Sequence, residues 1–78
     1  MSYLFPERFQ ELLDNTSMTY EEIIDKLDLK SRGTITKYAN GSIKNVPISM
    51  ICKIADLFEV SPIWLIGWTD DRHYKINK

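Results

Sequence analysis

The chain has 78 residues, 44% of them hydrophobic and 27% charged, with a formal net charge of -1. That length suits one small domain with a modest core and leaves no room for a second. The apolar fraction excludes a disordered chain, and the near-neutral balance argues against a generally basic coat protein for nucleic acid.

Five short helices are predicted. Pro6 suits a first helical position, and Phe9, Leu12 and Leu13 recur at i, i+3 and i+4, so residues 6–14 form a first helix with one buried stripe. Asn15, Thr16 and Ser17 break it. Thr19 followed by Glu22 is a capping-box pattern that starts a second helix, with Ile23, Ile24 and Leu27 as its apolar face and acids on its outer face. After the turn Asp28-Leu29-Lys30, Ser31 is placed to cap a third helix that runs to about Asn40 and is closed by Gly41 in a left-handed conformation. At 100° per residue, Ile35, Tyr38 and Ala39 share the inner side of this helix, while Arg32, Gly33, Thr36, Lys37 and Asn40 share the outer one. Residues 42–46 form a loop. Pro47 opens a fourth helix with Met50, Ile51, Ile54, Ala55, Leu57 and Phe58 as its buried stripe. Ser61 and Pro62 start a fifth that carries Ile63, Trp64 and Ile66 and stops at Gly67. No period-two segment is long enough for a strand. The expected fold is therefore all-α, a compact five-helix bundle containing a helix-turn-helix, with residues 1–67 as the domain and residues 68–78 as a polar C-terminal tail.

The modest net charge hides three regimes. Residues 1–28 carry seven acids and two bases; residues 29–55 carry Lys30, Arg32, Lys37, Lys44 and Lys53 and no acid; residues 56–78 carry four acids and three bases. A solvated face is the plain reading of the middle block. The sharper one is a footprint for a polyanion, of which nucleic acid is the obvious case.

Catalytic chemistry finds no foothold. His73, the one histidine, lies in the polar tail, and Cys52, the one cysteine, lies in an apolar helical run and reads as core packing, so no spacing sets a base beside a nucleophile. Neither a glycine-rich phosphate loop nor a metal-ligand cluster is present, and Asp70-Asp71 reads as a solvated turn. No cofactor or metal is expected. A lone cysteine fits a reducing compartment, and the first residues lack the basic start and long apolar run of a signal peptide, which points to a soluble cytoplasmic protein without membrane contact.

From residue 9 to residue 67 the order of landmarks resembles the Cro/CI-type (XRE) helix-turn-helix domain of phage repressors and bacterial regulators. The pieces that carry the resemblance are Thr19-Tyr-Glu-Glu-Ile-Ile, Ser31-Arg-Gly-Thr-Ile-Thr-Lys-Tyr-Ala-Asn-Gly, and Ile54-Ala55 with Val60-Ser-Pro-Ile-Trp-Leu-Ile-Gly. The resemblance implies that the third helix lies in the major groove while the second crosses above it. It also implies base contacts from Arg32, Gly33, Thr36 and Lys37 and phosphate contacts from Ser31, Asn40 and Lys44. The chemistry agrees in part: arginine presents a planar fork to guanine, and the amides at a helix start attract phosphate oxygens. Two departures stand out. The turn, Asp28-Leu29-Lys30, lacks the family's glycine and looks one residue longer, though Asp tolerates a left-handed backbone. Gly33 brings no side chain to a reading position.

Two partners follow from this reading. The first is double-stranded DNA, read as operator half-sites by a transcriptional regulator of the repressor or Cro kind. One such domain covers one half-site, so useful affinity needs a homodimer, joined through the fifth helix and tail around Trp64, Trp68 and Tyr74. The second is a partner repressor: the acids before Leu29 would imitate phosphate charge, and Trp68 would anchor the contact, in an antirepressor that modulates repression.

Overall fold

The computed structural model describes residues 3–74, which form five helices: α1 (Phe5–Asn15), α2 (Tyr20–Leu27), α3 (Arg32–Asn40), α4 (Ile48–Phe58) and α5 (Pro62–Ile66). The all-helical expectation holds. No described segment is a strand, and no helix among the described residues is long and apolar enough to cross a membrane.

α1 and α3 pack most closely on each other; α5 sits against α4 and α1, and α2 against α3 and α4. At the centre Phe5, Phe9, Ile23, Leu27, Ile35, Ile54 and Leu65 are fully buried, so every helix contributes to one core. An aromatic cluster ties α3 to α1. Phe5 and Phe9 stack at 5.5 Å between centroids, and Tyr38 meets the edge of Phe5 at 6.0 Å. These are the separations at which ring quadrupoles attract, so α3 is anchored by its inner face.

Several expectations need correction. α1 begins at Phe5, with Pro6 one position further in, and Phe5 joins the buried stripe because it stands four residues before Phe9. Pro47 is the N-cap of α4 and not its first helical residue. Only Ile51, Ile54 and Ala55 of α4 are buried; Met50, Leu57 and Phe58 pack at the margin. Cys52 is exposed, which overturns its reading as a core residue. It stands one turn after Ile48, itself 79% exposed, at an apolar cleft that α4 shares with α5 and Trp68. In α5 the inward residues are Trp64 and Leu65, with Ser61 buried before them, whereas Ile63 and Ile66 are only partly covered. A short helix crossing two others buries its i, i+3 and i+4 positions, which here are 61, 64 and 65.

The segment after α5 returns to the domain. The Arg8 guanidinium donates to the Trp64 carbonyl, to the Thr69 carbonyl at 2.7 Å and to Asp70 Oδ1 at 3.2 Å. Arg8 and Arg72 both lie over the Trp64 ring, at 4.7 and 4.8 Å from its centroid. The Ser61 amide donates to the Arg72 carbonyl at 2.6 Å. Trp64 is thus a core residue capped by cations.

Candidate nucleic-acid interface

The junction between α2 and α3 sets the site. Thr19 Oγ1 accepts from the Glu22 amide at 3.2 Å while Glu22 Oε1 accepts from the Thr19 amide at 3.2 Å, a complete capping box that fixes where α2 starts. α2 ends at Asp28, whose φ of 56° and ψ of 46° are left-handed, and the Leu29 amide donates back to the Ile24 carbonyl at 2.9 Å. This is a Schellman-type stop with Asp where glycine is common, so the turn survives without glycine. Leu29 packs against the core and locks it. Ser31 is the N-cap residue of α3, but its side chain makes no capping hydrogen bond, contrary to the capping role expected of it.

α3 turns Ile35 and Tyr38 inward and leaves Arg32, Gly33, Thr36, Lys37 and Asn40 exposed, together with Ser31 before it and Lys44 after it. The expected outer face is therefore a continuous exposed surface. The helix itself carries no acid, and the amides of Arg32 and Gly33 at its start have no intrahelical partner, whereas the Thr34 amide donates to the Ser31 carbonyl at 3.2 Å. At the far end Gly41, at φ 80°, donates to the Lys37 carbonyl, and Asn40 Oδ1 accepts from the Ser42 amide at 2.9 Å. That bond engages the side-chain oxygen of Asn40, an exposed residue. Thr36 Oγ1 reaches the Arg32 carbonyl only at 3.5 Å, too long to hold the hydroxyl firmly.

One contact was not legible in the sequence. Arg32 Nη1 lies 3.6 Å from Glu21 Oε1, and its guanidinium carbon lies 5.1 Å from the centre of the Tyr20 ring. Both charged side chains are about two-thirds exposed (66% and 70%), so the pair contributes at most about 1 kcal/mol and leaves the guanidinium within reach of a ligand. Only the angle between α2 and α3 brings these residues together, and no spacing reports it. Lys37 has no carboxylate within ion-pair distance among the described residues.

The two aromatic residues assigned to a protein interface are both half-exposed but line different clefts. Trp68 closes an apolar cleft of about 320 Å³ with Ile48, Ile51, Ile63 and Ile66. Tyr74 lies with Glu59, Val60 and Pro62 beside the start of α5. The structure does not unite them into one patch.

A family model described as helix-turn-helix matches residues 10–65, which span α2, the turn, α3 and α4 entirely. No significant match was found among curated proteins or among solved structures.

Proposed function

Because the chain belongs to the Cro/CI-type (XRE) helix-turn-helix family of DNA-binding transcription regulators, we propose that it acts as a repressor- or Cro-type regulator reading the major groove with α3. The observation that carries this reading is the exposed, acid-free outer face of α3 in a chain that is otherwise acidic. In it, Arg32, Gly33, Thr36 and Lys37 meet base edges, and Ser31, Asn40 and Lys44 meet phosphates. The division is carried over from the family by position, and the exposure of all seven residues supports it. Two protomers bind together, because one such face offers too few contacts for selective affinity. Trp68 and Ile48, 59% and 79% exposed beside one apolar cleft, are the surface we assign to the second copy.

The test is selection from a randomised duplex library, followed by titration of the winner at several salt concentrations. Enrichment of a pseudo-palindrome with half-sites about 34 Å apart, bound with steep salt dependence, is the expected result. Failure to enrich any sequence overturns the proposal. A second reading rests on the seven acids of α1, α2 and their turns, all of them exposed. They would engage a basic recognition helix on a partner repressor. In that case the protein alone leaves DNA unshifted and strips the partner from its operator.

A further inference from the structure

Arg32 is the one cation of the α3 face that two residues of another helix hold. Tyr20 and Glu21 are the first two residues of α2, enclosed by the Thr19–Glu22 capping box, and Tyr20 packs against the core. The ring and the carboxylate therefore stand on a backbone that is fixed at both levels. The guanidinium carbon lies 5.1 Å from the ring centre, and Glu21 Oε1 lies 3.6 Å from Nη1, within ion-pair distance but beyond a hydrogen bond. A planar cation over an aromatic face keeps its in-plane donors available, and a carboxylate at ion-pair distance attracts the guanidinium without occupying those donors. Resting on the reading of α3 as the DNA-contacting helix, we infer that Tyr20 and Glu21 are positioning residues that set the sequence selectivity of Arg32.

The physical argument concerns freedom. An unconstrained arginine at the start of a recognition helix reaches a phosphate on either side as readily as a base, and a phosphate contact carries no sequence information. Held over Tyr20 and drawn toward Glu21, Arg32 meets a guanine without leaving its seat. To meet a phosphate it has to abandon the carboxylate, which then faces the duplex as an uncompensated negative charge. Glu21 thus weakens binding to every wrong site more than to the right one.

Four proteins are compared with the wild type by fluorescence anisotropy: Glu21→Gln, Tyr20→Leu, Arg32→Ala and Glu7→Gln. Tyr20→Leu keeps an apolar group against the core while removing the ring face, and Glu7→Gln makes the same charge change on an exposed site of α1. Thermal melting by circular dichroism confirms that each is folded. The probes are the duplex selected from the randomised library and the same duplex with the base pair facing Arg32 replaced, that pair being the one whose discrimination Arg32→Ala abolishes. Glu21→Gln is expected to tighten binding to the replaced duplex about fivefold, the worth of one close charge contact in water, while leaving the selected duplex nearly unchanged. Tyr20→Leu loses discrimination by weakening the selected duplex, and Glu7→Gln shifts both duplexes by one common factor. The inference is overturned if Glu21→Gln behaves like Glu7→Gln, or if Arg32→Ala leaves every base preference intact; DNA reading by α3 survives either result. A wild-type protein that enriches no sequence removes the functional reading itself, and the inference with it.

Discussion

Lys37 is the sharpest point at which to test the proposed DNA-binding face. It is exposed midway along α3, opposite Ile35 and Tyr38, and no described carboxylate lies within ion-pair distance of it. With Lys30, Arg32 and Lys44 it makes four exposed cations on and beside α3. Whether it meets a base edge or a phosphate, a cation held against the duplex displaces counterions, so the four together make log K fall with log salt at a slope of up to about -3.6 per protomer, each giving about -0.9. Lys37→Gln removes one contact and flattens that slope by about 1. Lys37→Glu also adds a repulsion. At about 4 Å in a water-like dielectric the lost attraction and the new repulsion are each about 1 kcal/mol, so the change costs about 2 kcal/mol per protomer. That is about 30-fold for one half-site and about a thousandfold for two bound together. Anisotropy titrations of the selected duplex between about 50 and 200 mM salt measure both quantities, the range over which phosphate contacts change affinity most visibly. Because Lys37 packs against nothing in the core, stability should move by no more than about 0.5 kcal/mol. Unchanged affinity and slope in Lys37→Glu would show that α3 does not face the duplex.

Gly33→Ala should stabilise the fold by about 0.5–1 kcal/mol in urea unfolding, since a Cβ there would meet only Ser31 Oγ at an ordinary 3.6 Å. The same variant should bind the selected duplex more weakly if the bare backbone serves close approach, and undiminished affinity would refute that role. Asp28→Gly should raise the melting temperature, by up to about 1 kcal/mol in stability, because the left-handed backbone at φ 56° strains any residue with a Cβ; a lower melting point would mean that the Asp side chain holds the turn. Leu65→Ala, at a position with no exposed surface, should cost about 2–5 kcal/mol, and a loss under about 1 kcal/mol would contradict its central place in the core. Cys52 should react with a thiol reagent in native buffer to full stoichiometry, where a protected thiol would need denaturant.

The helices themselves were legible because their signals are local. The Thr19–Glu22 capping box, Ser61 with Pro62, and the stops at Gly41 and Gly67 each act over a few residues, and each sits where the pattern put it. The face of α3 was legible for a related reason: nine residues with two buried positions three apart leave little choice about which side is outward. What failed depended on neighbours. An apolar run such as residues 48–58 holds more hydrophobic positions than its partners can cover, and periodicity alone does not tell Ile51 from Cys52 at the edge of the stripe. Leu65 was missed because α5 is too short for its phase to be read, and its inward side is decided by α1 and α4. The Arg32–Glu21 contact joins residues eleven apart across a turn whose angle no motif encodes.

The charge layout and the family fold together constrain how such a protein finds its site. A net charge of -1, with every acid before Leu29 exposed, gives the surface as a whole little pull on DNA. Attraction is confined to one helix and its borders, and on that helix Arg32 is already partly answered by Glu21 while Gly33 contributes none. If α3 is the reading helix we propose, non-specific affinity per protomer is low and the energy of a specific complex comes from geometry: the planar donors of Arg32, the methyl and hydroxyl of Thr36, and the close approach that Gly33 permits. Each of these acts only when α3 is fully seated, so a slight change in the angle between α2 and α3 removes several at once. On the proposed reading the Asp28 turn is coupled to recognition although it need touch no nucleotide, and substitutions there should change base preference more than they change the salt slope, because they move the helix without altering the charge it carries.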